Sequence, residues 1–167
     1  LDPGHYLFLG APGTGKTTVA RILGNLLRDQ GLLARGHVVE VSRQNLVAEY
    51  QGQTGPKTEE KLKEALDGVL FIDEAYQLVT DSHDSFGRQA LEALVAFMEN
   101  YRDRLTIVAA GYQEPMLQFI NANPGLPSRF KYQIDFPDYT DGEMMKILEG
   151  MMGEKKVYLT PEAKQEV

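Results

Sequence analysis

The chain has 167 residues, 43% of them hydrophobic and 25% charged, which excludes disorder as its main state and supplies one domain's worth of core. Seventeen Lys and Arg against 24 Asp and Glu leave a formal net charge of −7, a poor balance for a protein that coats nucleic acid or anionic lipid. The absence of Cys removes disulfides, thiolate metal sites and thiol catalysis.

Apolar runs such as Val69 to Ile72 are far too short to span a bilayer, and no secretory signal is visible. A chain that starts at Leu1 rather than Met is expected to be a fragment. In chain order, His5-Tyr6-Leu7-Phe8-Leu9 predicts a buried strand that ends at Gly10. Val19, Ile22, Leu23, Leu26 and Leu27 follow at the spacing of one helix face, with Gly31 and Gly36 at the exit. Val38 to Val41 predicts a second, β-branched strand. A helical pattern begins at Leu46, Val47 and Tyr50, breaks at Gly52, Gly55 and Pro56, and resumes at Leu62, Ala65 and Leu66.

Val69-Leu70-Phe71-Ile72 lacks polar alternation, so it predicts a strand covered on both faces. Ala90, Leu91, Leu94, Val95 and Met98 predict a long amphipathic helix, and Leu105 to Ala110 a fourth strand. Met116, Leu117 and Ile120 mark a short helix, and Tyr132 to Phe136 a fifth strand closed by Pro137. Residues 141–152 predict a last helix. Thr160-Pro161 reads as an N-cap with Pro at the first helical position, so a further helix is expected to begin near the end of the chain. Strands separated by helix-length crossovers predict a doubly wound α/β domain, a five-stranded parallel sheet between helices.

Gly10-Ala11-Pro12-Gly13-Thr14-Gly15-Lys16-Thr17 matches the phosphate-binding pattern G-x4-G-K-S/T in full, with an apolar strand before it and an amphipathic helix after it. Glycines let successive backbone N–H groups turn inward on phosphate oxygens with no Cβ in the way. Lys16 supplies a compact cation for the β- and γ-phosphates, and the Thr17 hydroxyl suits Mg²⁺. The helix adds the positive end of its dipole. The plain alternative is a glycine-rich turn with a lysine at its mouth, but eight positions and both flanks fit the P-loop NTPase pattern.

Asp73 and Glu74 close the third strand, where a doubly wound sheet binds its ligand. Asp73 is the candidate for holding Mg²⁺ through water, and Glu74 for orienting or deprotonating an attacking water. Two acids after a strand are otherwise an ordinary helix start, where negative charge is favourable. Behind a P-loop, the pair points to hydrolysis.

These residues resemble the CbxX/CfqX family of AAA+ ATPases, whose members include the activase of red-type Rubisco, a type VII secretion ATPase and a sporulation protein. The resemblance covers about residues 4 to 150. It rests on the P-loop, on Gly68 through Tyr76, on Gly36-His37-Val38-Val39, on Glu49 through Thr54 and on Pro56-Lys57-Thr58. Gly125 to Phe130 and Phe136-Pro137-Asp138-Tyr139 extend it. It implies the large α/β subdomain of an AAA+ module over 1–152 and the start of a truncated helical lid over 153–167. With ATP and Mg²⁺ as cofactors, the nucleotide contacts are Pro12, Gly13, Thr14, Gly15, Lys16, Thr17, Thr18 and Asp73, with Thr17 and Asp73 at the metal.

The family also implies a ring, usually of six subunits, with ATP bound between neighbours. Arg129, in Pro127-Ser128-Arg129-Phe130, matches the arginine finger that reaches a neighbour's γ-phosphate; without the resemblance it is a surface cation before a strand. Tyr50-Gln51-Gly52 falls where such proteins carry a pore loop that grips polypeptide, although Leu46, Val47 and Tyr50 also share a spacing that suits core. The family's polar sensor at the end of the fourth strand is replaced by Ala109-Ala110-Gly111-Tyr112, which leaves Tyr112 as the possible sensor. The second sensor arginine and a segment that flanks adenine are absent, so weak ATP binding and a monomer at low concentration are expected.

Asp81, His83 and Asp84 read as a solvated loop rather than a metal site, and His5 and His37 as structural. The function expected is Mg-ATP hydrolysis by a cytoplasmic ring motor that remodels or threads a protein. The alternatives are a nucleic-acid motor or loader on the same core, disfavoured by the charge balance, a small-molecule kinase, disfavoured by the acid pair, and a scaffold that barely hydrolyses.

Overall fold

A computed structural model describes residues 3–81, 83–136, 146, 149 and 150. Five strands, β1 (Tyr6–Gly10), β2 (Val38–Val41), β3 (Gly68–Ile72), β4 (Leu105–Gly111) and β5 (Tyr132–Phe136), form one parallel sheet in the order β2-β3-β4-β1-β5. The helices are α1 (Lys16–Asp29), α2 (Arg43–Leu46), α3 (Thr54–Ala65), α4 (Ser85–Asn100), α5 (Gln113–Asn121) and α6 (Leu126–Arg129), with a 3-10 turn at Ala75–Leu78. The five-stranded doubly wound α/β fold expected from the sequence is therefore observed, with strand limits within one residue of expectation.

Unbroken apolar runs become strands because both sheet faces are covered. Every residue of β3 and β4 is buried. Alternate side chains feed two cores. Tyr6, Phe8, Phe71, Val108 and Ala110 pack with Val19, Ile22, Leu23 and Leu26 of α1. Leu7, Leu70, Ile72, Ile107 and Ala109 pack with Leu62, Leu91, Leu94 and Phe119 on the other face. At the exit of α1 the backbones of Gly24 and Gly36 meet, and a Cβ on Gly24 would strike the Gly36 carbonyl oxygen.

The structure differs from expectation between β2 and β3. The helical pattern from Leu46 through Tyr50 does not propagate: α2 ends at Leu46, and residues 49–52 form a bend and turn. Gly55 and Pro56, read as interruptions, lie inside the first turn of α3. The first helical turn leaves its N–H groups without intrahelical partners, so a proline there loses nothing. Short α6 was also not foreseen, and it carries Arg129 in its only turn. Pro137, the subdomain boundary at 152/153 and the N-cap at Thr160 lie outside the described residues. Of 141–152, positions 146, 149 and 150 are described, and each is helical. No helix among the described residues is long and apolar enough to cross a membrane.

Candidate functional site

β1 hands directly into the glycine loop, and the loop into α1. Gly13 (φ 78°) and Gly15 (φ 88°) both take the left-handed backbone that side chains resist, and nothing lies within 4 Å of where their Cβ atoms would be. Gly15 caps α1, and no side chain supplies the capping hydrogen bond. The N–H groups of the first turn therefore face the loop without a side-chain acceptor, as an anion site requires.

Lys16 is only 7% exposed and folds back over the loop, its Nζ donating to the Gly10 carbonyl at 2.8 Å and the Ala11 carbonyl at 2.6 Å. The Thr14 hydroxyl donates to the Ala11 carbonyl at 2.7 Å. Pro12 is exposed; Thr17 and Thr18 are half-buried at the start of α1. Burial pushes the Lys16 ammonium below the ordinary lysine range, while the negative charges of Asp73 and then Glu74 pull it back up. The sheet thus brings together a cation and two acids that the sequence separates by more than fifty residues.

Register explains how. Ile72 of β3, Ala109 of β4 and Leu7 of β1 are successive pairing partners, so Asp73 emerges at the strands' carboxyl ends beside the loop. Asp73 is exposed and open to solvent. Glu74 adopts left-handed backbone (φ 49°, ψ 51°), a strained conformation for a side-chain-bearing residue. That reversal turns the chain into the 3-10 turn. One turn on, Gln77 Nε2 donates to Glu74 Oε2 at 2.9 Å.

Tyr112 caps α5 and is 44% exposed. Burial raises the Tyr76 phenol above its ordinary range, and the charges of Glu74, Tyr112 and Asp73 add to the rise. The Tyr76 phenol therefore stands close to the acid pair and to Tyr112. The sequence reading singled out Tyr112 but missed Tyr76 and Gln77. Gln77 had a local signal, because it lies three residues after Glu74 in a single turn.

A second network runs away from Glu74. Arg43 Nη1 donates to the Gln77 carbonyl at 2.8 Å and pairs with Asp84 Oδ2 at 2.6 Å. Asp84 also caps α4 through Gly87 N, and its carboxyl is held below the usual range by the Arg43 hydrogen bond first. Asp81 accepts from His83 N at 2.9 Å. His5 Nδ1 accepts from Ile107 N at 2.9 Å, and His37 Nε2 lies 2.7 Å from the Glu64 carbonyl, so both imidazoles brace backbone.

Tyr50 is 73% exposed, which overturns the reading of Leu46, Val47 and Tyr50 as one core stripe. Its loop is exposed but pinned at both ends. Lys57 Nζ donates to the Gln44 and Val47 carbonyls, Ala48 N donates to Thr54 Oγ1, and the buried Thr58 hydroxyl donates to the Leu46 carbonyl. Gln51 and Gly52 complete the exposed tip. An open groove of about 400 Å³, lined by Arg43, Val47, Lys57 and Gln77 among others, lies between this loop and the 3-10 turn.

Arg129 stands elsewhere. β1 and β5 run parallel with Tyr6 beside Tyr132, so residue 129 precedes the sheet's amino edge while the glycine loop follows its carboxyl edge. Five strand residues separate those edges by roughly 17 Å. Arg129 is not brought to the glycine loop of its own chain. It lines a cleft of about 220 Å³ with His5, Glu99, Arg102, Ser128 and Lys131.

Comparison with known proteins gives the same outline. Residues 6–138 match the model of the ATPase family associated with various cellular activities (AAA). The chain is 47% identical over 166 residues to the chloroplastic ribulose bisphosphate carboxylase/oxygenase activase of Cyanidioschyzon merolae, covering 98% of this chain and 57% of that protein. It is 45% identical over 159 residues to stage V sporulation protein K of Bacillus subtilis, covering 95% and 49%. The chain thus spans about half the length of the curated relatives it matches. The crystal structure of the FIGL-1 AAA domain in complex with ADP superposes with a TM-score of 0.60 at 20% identity, over 91% of this chain and 49% of that one.

Proposed function

This chain belongs to the AAA family of ATPases, and we propose that it is the hydrolytic module of a ring motor that remodels or threads a protein substrate. The observation that carries the reading is the uncapped start of α1 behind Gly13 and Gly15, with Lys16 in electrostatic reach of Asp73 and Glu74. Loop amides and Lys16 bind and orient the phosphates of ATP. Thr17 and Asp73 hold Mg²⁺, which when bound neutralises phosphate charge. Glu74 orients water and accepts its proton, with Gln77 steadying one carboxylate oxygen. Tyr112 is the sensor candidate, since it follows β4 and acts on Tyr76, which in turn feels the charges of Glu74 and Asp73.

Oligomerisation is part of the reading because Arg129 lies at the opposite edge of the sheet from its own glycine loop, so a finger role requires a neighbour's site. Two relatives are named for different roles, Rubisco activation and sporulation, so the client is assigned only as a protein. A cytoplasmic location goes with this reading, and imaging of the tagged full-length protein tests it.

The direct test is Lys16→Ala. Losing one charge-assisted contact to phosphate should weaken Mg-nucleotide binding by about 10- to 100-fold, measured by titration with a fluorescent ATP analogue. Unchanged affinity would refute the phosphate cradle. Tyr50→Ala should keep basal hydrolysis within about twofold, because the side chain is exposed to solvent rather than packed in the core. It should abolish stimulation of the full-length protein by an unfolded polypeptide such as casein. Retained stimulation would remove the gripping role.

A further inference from the structure

Glu99 lies in the last turn of α4, where the helix dipole disfavours a negative charge. Two arginines offset that cost, one three residues on and one thirty residues on. Oε2 accepts from Arg129 Nη2 at 2.6 Å, and Oε1 lies 3.6 Å from Arg102 Nη2. Arg129 Nη1 donates to the Gly125 carbonyl at 2.8 Å, so both terminal nitrogens of this guanidinium are engaged within its own subunit. The pair is still open to exchange: the Arg129 side chain is 24% and that of Glu99 55% exposed, on the wall of the 220 Å³ cleft.

The geometry points to Glu99 as the positioning residue for Arg129: its carboxylate occupies the guanidinium until a neighbour's phosphate displaces it, and Arg102 then keeps the released carboxylate. This rests on the reading that Arg129 acts on a neighbouring subunit. The N–H groups that bind a carboxylate oxygen are the ones that bind a phosphate oxygen, so the two anions compete for them. Displacement is inexpensive because Arg102, in the turn that follows α4, stays beside Glu99, so the carboxylate is not left without a cation. The fraction of fingers free to engage is set by the strength of the Glu99 pair.

Hydrolysis by the full-length protein, followed against protomer concentration, tests this. Glu99→Gln frees the finger and removes a negative charge from the approach of phosphate. The concentration giving half-maximal rate should fall about three- to fivefold, the scale of one exposed ion pair, with the plateau rate unchanged. Arg102→Gln should shift it the other way, about twofold upward, because Glu99 then has only Arg129. Nucleotide affinity of each isolated protomer should match wild type in both variants. An unmoved half-maximal concentration in Glu99→Gln, or a lowered plateau, overturns the proposal. Arg129→Ala in the same titration separates the two readings. Wild-type rates there sink the neighbour-acting role itself, whereas loss of activity there with a silent Glu99→Gln sinks only the positioning role.

Discussion

Glu74→Gln is expected to bind Mg-nucleotide as wild type does and to hydrolyse it about two to four orders of magnitude more slowly, the range a positioned general base contributes. The substitution is nearly isosteric. Gln77 Nε2 can still donate to the side-chain oxygen at position 74, so the 3-10 turn and the left-handed residue that caps it are preserved. What is lost is the negative charge and the capacity to take a proton from water. Lys16 also loses one of the two charges that favour its ammonium form, but Asp73, the larger of the two, remains. Binding is read by titration with a fluorescent nucleotide and turnover by phosphate release. Normal turnover would take Glu74 out of the mechanism, and lost binding would mean that it serves the cradle instead.

Arg129→Ala should lower hydrolysis by about a thousandfold in the assembled protein while leaving nucleotide binding to each subunit intact. The reason is positional: the residue precedes β5 at the amino edge of the sheet, and the glycine loop follows β1 at the carboxyl edge. An arginine placed away from its own site and proposed to complete a neighbour's predicts complementation. Subunits carrying Lys16→Ala have an intact Arg129 and a failed cradle. Mixed with Arg129→Ala subunits, they form composite sites with every part present, and phosphate release should recover. No recovery in the mixture would show that Arg129 does not act across a subunit boundary.

Local chemistry was legible wherever neighbouring residues alone decide it. The glycine loop is a matter of eight consecutive positions, and a buried parallel strand such as Val69 to Ile72 announces itself because no residue in it needs water. Tyr50 was ambiguous, since helical spacing fits both core and loop. The ambiguity was resolved by contacts at a distance, when Lys57, Thr54 and Thr58 of α3 captured the backbone of residues 44–48 and left the tip outside. Gln77 could have been found from its spacing to Glu74. Arg43 and Glu99 could not, because their partners lie 34 to 41 and 30 residues away and no pattern in either segment names the other.

The amino-acid sequence by itself determined the parallel α/β sheet, the glycine loop between β1 and α1 and the identity of the acid pair, because each follows from backbone freedom, burial or charge within a few residues. Only the tertiary structure decided the rest: which edge of the sheet carries Arg129, that Glu99 holds it, and that Lys16 and Glu74 share one electrostatic neighbourhood. Those facts depend on strand order and register, which hydrogen bonds between segments distant in sequence establish.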